Sequence, residues 1–317
     1  MRDMLQSKSL PAFAMVAIIF VIGALTINGY TSVFSIRAML VLASFLIIAS
    51  AGQTLVMLIG GIDLSLPFVI GFANVTVAQL SADGMPFWQA MILVVLLSLV
   101  FGAINGSLSS ILRVHPLIIT LGTGTALLGA VLLWTSGYPS GSAPDYINNF
   151  VSIGQSIGPI PTPWLVPATL ALVVFLILFE NRTVLGRQIF ALGSNPNAAP
   201  YILAKPLQIW IFCFSVSSVL AALTGILLLG FSGAAFADAG RPYLFQTVAA
   251  AVIGGTALSG GRGGILGTVA GALALTQLNT LLIGFGLDQS IVQAALGALI
   301  VAVVAVYGRQ AHLRAEI

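Results

Sequence analysis

Gly60-Gly61-Ile62-Asp63-Leu64-Ser65-Leu66 lies between two long apolar runs and puts a carboxylate where the chain otherwise reads as membrane-buried helix. A charge at that depth is costly unless backbone N–H groups, water or a partner satisfies it. The paired glycines let the chain leave helical geometry, which residues carrying a Cβ resist. Asp63 or Ser65 can then cap the following helix, and Pro67 suits a first turn whose N–H groups lack intrahelical partners. The segment predicts a helix break at membrane depth, tolerated where irregular backbone lines a cavity. A short loop with a good cap is the plainer alternative.

Composition supports the membrane setting. Of 317 residues, 59% are hydrophobic and 6% charged, and the mean hydropathy is +1.11. Soluble domains run at roughly 45–50% and 25%. So few charges cannot cover a soluble globule of this size. The sequence therefore predicts an all-α integral membrane protein, with residues 1–317 forming one transmembrane domain. Apolar segments fall near 12–30, 38–59, 66–82, 87–112, 117–136, 164–180, 208–231, 245–259, 264–283 and 289–307. At about 20 residues per span this allows ten helices. The first apolar run exceeds the roughly 7–15 residues of a signal sequence and is read as a retained helix.

Ten spans place both termini on one side, and the cations choose which. With the N-terminus inside, the cytoplasmic segments hold Arg2, Lys8, Arg113, Arg182, Arg187, Lys205, Arg262, Arg309 and Arg314. The outer segments hold Arg37 and Arg241, so 9 of the 11 cations lie inside, as the positive-inside rule asks. Cations scattered in this way do not suggest nucleic acid as a partner; the bilayer is the partner they fit. Two loops are long. One, 137–163, is outer, rich in Pro, Gly and Ser, and serves as a cap or docking surface at most. The other, 181–207, is cytoplasmic.

Two motifs carry a resemblance. Gly60-Gly61-Ile62-Asp63-Leu64-Ser65 is similar to a signature of the permease subunits of bacterial ABC importers for monosaccharides, the ribose, xylose, arabinose and galactofuranose group. Ala251-Val252-Ile253-Gly254-Gly255-Thr256, followed by Leu258, Gly260-Gly261, Gly263 and Gly267-Thr268, resembles that family's late glycine-rich stretch. The resemblance implies a dimeric pore completed by an identical or related permease, two cytoplasmic ATP-binding subunits and a periplasmic sugar-binding protein, in the bacterial inner membrane. It also implies that Gly193-Ser194-Asn195-Pro196-Asn197-Ala198-Ala199 is the segment coupling to the ATPase, with Gly193, Asn195, Ala198 and Ala199 matching the family's pattern. Asn195 suits an N-cap and Pro196 a first helical position.

The chain departs from that pattern at Pro200, which disfavours helical geometry at Ala199. It departs again at Gln246, where the family often has an acidic residue. The two motifs share one internal echo, Ile-Gly-Gly-x-x-Leu-Ser at 59–65 and 253–259. Both copies lie toward the same face, which is not the relation of an inverted repeat.

Polar handles within the spans are mostly amides: Asn28, Gln53, Asn74, Gln79, Asn105, Gln277, Asn279 and Gln293. A neutral hydroxylated solute needs hydrogen bonds and no ion pair, so Asn74, Asn105 and Asn279, with Gln246, are the candidate substrate pathway; interhelical hydrogen bonding is the plainer alternative for each. Cys213, the single cysteine, reads as a small buried apolar residue, and no cofactor or metal is expected. No catalytic constellation and no G-x-x-x-x-G-K-[ST] phosphate loop occurs, so ATP hydrolysis is expected on a separate subunit and intramembrane proteolysis is disfavoured. A secondary carrier working alone, facilitative or ion-coupled, is the alternative function. Asp63 is then its one strong ionisable candidate within the membrane.

Overall fold

Each of the ten apolar segments overlaps one of the main helices of the computed structural model, which describes residues 10–112, 114–158, 162–196 and 205–312, with the side chains of 300 and 302–312 outside that description. The elements are α1 (Leu10–Thr26), α2 (Val33–Leu58), α3 (Leu66–Ala82), α4 (Phe87–Leu112), α5 (Pro116–Trp134), α6 (Asp145–Val151), α7 (Leu165–Arg182), α8 (Val184–Ser194), α9 (Pro206–Ser232), α10 (Tyr243–Ile253), α11 (Ile265–Gly284) and α12 (Gln289–His312). Local chemistry sets many of these limits. Ser32 caps α2 by accepting the Ser35 N–H at 3.2 Å, proline opens α5 and α9, and Gly233 closes α9 at φ +73°.

Among the described residues six helices are long and apolar enough to cross a membrane: α2, α4, α5, α7, α9 and α11. The protein is all-helical and multi-pass. The eighth expected span is shorter than its apolar run. α10 has 11 residues and rises about 16 Å, roughly half the hydrocarbon core.

α2 and α9 form the centre. From Val41 to Leu58 nearly every residue of α2 is buried, and α9 packs against α4, α3 and α2. α4, α5 and α7 turn rows of leucine, isoleucine and valine outward, as a lipid-facing layer requires. The close contacts are made by small residues. A Cβ at Gly102 or Gly106 of α4 would run into the α9 backbone at Phe214–Ser215 or Trp210–Ile211. Gly267 and Gly271 of α11 sit in the same way on Gly254, the C-cap of α10, and on Ala250 within it. In hydrocarbon, such backbone-to-backbone approach supplies the packing that holds helices together.

The two ends of the bundle differ. One, the break end, gathers 59–65, α8 and 254–264. The other is covered by 137–158: Ser140 donates its N–H and hydroxyl to Gln79 Oε1, both at 3.0 Å, and α6 packs Ile147 against Gly230 and Tyr146 edge-on to Phe87.

The segment after α9, expected as a loop outside the bundle, instead re-enters it. Asn74, at the midpoint of α3, accepts the Phe236 N–H at 3.0 Å and donates to the Gly225 carbonyl at 3.1 Å. From there the 3-10 turn Ala237–Gly240 runs down α3, with Ala237 against Gly71 and Gly240 against Pro67. α10 therefore begins inside the bundle.

Candidate functional site

The break after α2 is made by Gly60, whose φ of +82° a Cβ-bearing residue rarely adopts. The chain then runs back alongside α2. With its amide oriented to satisfy both groups, Gln53 donates to the Asp63 carbonyl at 3.0 Å and accepts the Asp63 N–H at 3.3 Å. Asp63 thus lies level with Gln53, about 7 Å inside the end of α2, and it is 2% exposed.

Its carboxylate is enclosed by donors. Oδ1 accepts the Ser65 N–H at 2.9 Å and the Ser65 hydroxyl at 2.5 Å, and Oδ2 accepts the Ser217 hydroxyl of α9 at 2.8 Å. Ser65 Oγ in turn accepts from Asn105 Nδ2 at 3.0 Å, and Asn105 Oδ1 accepts from Thr123 at 2.7 Å. The Leu64 N–H reaches Thr120 Oγ1 at 3.0 Å. Five elements, α2, the break, α4, α5 and α9, are tied through one cage. The expected helix cap takes a different form. Ser65 occupies the N-cap position of α3, but its hydroxyl makes no cap bond, and Asp63 accepts the N–H of Ser65 itself. The hydroxyl is already committed to Asp63 and Asn105.

The second break lies against the first. Gly261 N–H donates to the Leu58 carbonyl at 2.8 Å, and Gly260, at φ +82°, leaves no room for a Cβ beside Gly60 N and the Gly193 carbonyl. Gly193, near the end of α8, packs on the Leu58 carbonyl and Gly261 N, while Ser194 Oγ donates to the Gly261 carbonyl at 3.3 Å. The two echoed motifs and the tip of α8 therefore form one clasp. α8 itself was expected as loop. Thr183 caps its start by accepting the Gly186 N–H at 3.0 Å, and Gly186, Ile189 and Leu192 bury one face. Asn195 ends α8 as its C-cap, its N–H bonded to the Ala191 carbonyl at 3.0 Å, and the segment it was expected to open lies outside the described residues. Ala198 and Ala199 lie outside the described residues.

Glu180, on the last turn of α7, was not singled out by sequence. It is 6% exposed, and its Oε2 accepts the Ile265 N–H at 3.1 Å. A carboxylate there offsets the positive end of the α11 helix and anchors α11 next to the clasp. Its partner is a backbone group 85 residues away, which no local pattern reports.

The four candidate pathway residues divide. Asn74 and Asn105 are fully buried and bonded to protein partners. Gln246 and Asn279 line a common cavity of about 310 Å³ with Asp238, Tyr243, Thr276 and Gln289, against Leu42, Leu46 and Leu228. The cavity extends from the start of α12 and the last turns of α9 to the first turn of α10, at the end away from the clasp. α10 therefore has the cavity at its first turn and the clasp at its last. Asp238 and Phe236 also border a second cavity of about 390 Å³ beside Gly137–Pro139. Among the described residues no cluster of His, Cys, Asp or Glu could hold a metal ion.

Residues 35–304 match the family described as the branched-chain amino acid transport system permease component. The chain is 34% identical over 269 residues to an autoinducer 2 import system permease protein of Klebsiella pneumoniae, covering 83% of this chain and 79% of that one. It is 33% identical over 297 residues to the D-allose transport system permease protein of Escherichia coli K12, covering 92% and 89%. It is 34% identical over 238 residues to the ribose import permease protein of Haemophilus influenzae, covering 74% and 73%. No solved structure matches it. The chain belongs to this family of transport-system permeases: it is a multi-pass membrane protein that serves as a permease component, with no enzymatic step of its own.

Proposed function

We propose that this chain forms the translocation pathway of an ATP-driven importer for a monosaccharide, in the bacterial cytoplasmic membrane. The observation that carries this is its likeness, over most of its length, to permeases named for ribose, D-allose and autoinducer 2 import. A periplasmic binding protein delivers the sugar, a second permease of the same or a related kind completes the pore, and ATP is hydrolysed on separate cytoplasmic subunits. Both termini and the break end face the cytoplasm, in line with the cation count. The ATPase grips residues 181–207. Because the tip of α8 is packed on both breaks, movement there would shift α2–α3 and α10–α11 together and alternate access to the cavity above.

Uptake of labelled pentoses and hexoses by cells expressing the whole importer, with and without its periplasmic binding protein, tests the function. Uptake of at least one sugar that depends on the binding protein and on ATP is expected; uptake by the permease alone would favour a secondary carrier. Sidedness has its own test. Arg187 is exposed on α8, and the only native thiol, Cys213, is fully buried. An Arg187→Cys variant should resist an impermeant thiol reagent in intact cells and react in inverted vesicles. Labelling from outside would invert the topology.

A further inference from the structure

We propose that the cavity around Gln246 and Asn279 is the solute's station in the membrane, and that Asp238 makes it accept neutral polyhydroxylated solutes over anionic ones. The solute's identity as a sugar rests on the import function proposed above; the charge preference does not.

Elsewhere in the bundle most amides are spent on protein partners, Gln53, Asn74 and Asn105 among them. Here the side chains of Gln246, Asn279, Gln289 and Asp238 make no hydrogen bond among the described residues, although all four face one cavity. Gln246 and Asn279 are half-buried. A polar group that faces a cavity and has no protein partner is available to bond whatever enters it. Amides offer both donors and acceptors and the carboxylate only acceptors, which is the mixture that sugar hydroxyls satisfy. Leu42, Leu46 and Leu228 give the C–H faces of a pyranose or furanose an apolar wall. The volume, about 310 Å³, is at the low end for small-molecule sites and suits a single ring.

Charge sets the second half of the proposal. Asp238 is the one charged residue lining the cavity, and no lysine or arginine lines it. Placed between this cavity and the one beside Gly137–Pro139, Asp238 meets any solute passing from one to the other. A carboxylate or phosphate on the solute would be repelled by Asp238 at close range, where a neutral sugar gains a hydrogen bond.

Two experiments test this. In the first, an Asn279→Cys variant in membranes is treated with a cationic and an anionic methanethiosulfonate reagent; buried Cys213 stays silent. Relative to a free thiol in solution, the cationic reagent should be favoured about five- to tenfold, and adding Asp238→Asn should bring the ratio to within about twofold of solution. An unreactive thiol, or a ratio indifferent to Asp238→Asn, overturns the charge preference. In the second, Gln246→Leu and Asn279→Leu in the complete importer should each lower uptake of the transported sugar about three- to tenfold at normal membrane levels, with KM raised. A parent that imports a sugar and variants that import it equally well overturn the site and leave the importer standing. A parent that imports none of the pentoses or hexoses overturns the importer, and the cavity's charge preference then stands or falls on the labelling ratio.

Discussion

Asp63 and Asp238 are both carboxylates in an apolar bundle, and their surroundings are opposite. Asp63 is 2% exposed and takes three hydrogen bonds from Ser65 and Ser217, inside a cage that draws on five elements. Asp238 is exposed to two cavities and accepts none through its side chain among the described residues. The sequence marks Asp63 as the conspicuous charge, because it sits in a motif between apolar runs. The structure ties that charge into the fold and leaves the side chains of Asp238, Gln246 and Asn279 without hydrogen-bond partners among the described residues, which is why recognition is proposed to fall to them. In a membrane the distinction is energetic: a buried polar group bonded to protein holds the fold, and one facing a cavity is available to solute.

Breaking the cage gives the largest effect. Asp63→Leu removes both acceptors and leaves the Ser65 N–H, the Ser65 hydroxyl and the Ser217 hydroxyl without that partner in an apolar interior. At about 1–3 kcal/mol for each stranded group, the loss should exceed about 3 kcal/mol, and little folded protein should survive detergent extraction. Asp63→Asn keeps an oxygen for the Ser65 N–H and can donate to Ser217 Oγ, so thermal unfolding should shift by no more than about 1 kcal/mol, with uptake retained. A stable Asp63→Asn protein that imports nothing would erase the contrast, since the charge itself would then be needed for transport.

The clasp is next. A Cβ at Gly193 would press on the Leu58 carbonyl and Gly261 N, both backbone atoms with nowhere to go. Gly193→Ala should cost about 1–3 kcal/mol, the range for overpacking. If the clasp relays motion from α8 to both breaks, stimulation of ATP hydrolysis by loaded binding protein should fall further than the basal rate. Equal losses in the two rates would reduce Gly193 to a packing residue.

Much of the helical layout is legible in the sequence, because a span needs only length and apolarity, and both are local. The ten apolar runs all become helices. What escapes is whatever depends on a distant partner. The run 245–259 has the hydropathy of a span, yet α10 is only 11 residues long, because the chain has already re-entered along α3 to Pro67 before Tyr243. Asn74 and Asn279 look alike in sequence, and only the arrival of Phe236 N and the Gly225 carbonyl at Asn74 separates them. Glu180 sat at the edge of a span, where a charge is unremarkable; its role follows from Ile265. Glu180→Gln keeps an acceptor for that N–H and loses the charge beside the helix N-terminus. It should cost about 0.3–1 kcal/mol, measured as a shift in unfolding. A loss near that of Asp63→Leu would make Glu180 part of a second cage.

The smallest expected change in stability tests the other side of the contrast most sharply. Gln246 and Asn279 make no side-chain hydrogen bond among the described residues and face a cavity, so replacing either amide by leucine strands nothing in the protein. The new side chain is similar in size, and its methyl groups meet the leucines already lining the wall. Unfolding of Gln246→Leu and Asn279→Leu should therefore stay within about 0.5 kcal/mol of the parent, as for substitutions that touch no buried network. Asn105→Leu, the same chemical change made inside the cage, removes the donor to Ser65 Oγ and the acceptor for Thr123. It should cost about 1–3 kcal/mol. Uptake should fall at all three positions, but at Gln246 and Asn279 with full membrane levels and unchanged unfolding, and at Asn105 together with folded yield. If Asn279→Leu unfolds as readily as Asn105→Leu, the cavity amides are holding helices together, and recognition has to be sought elsewhere along the pathway.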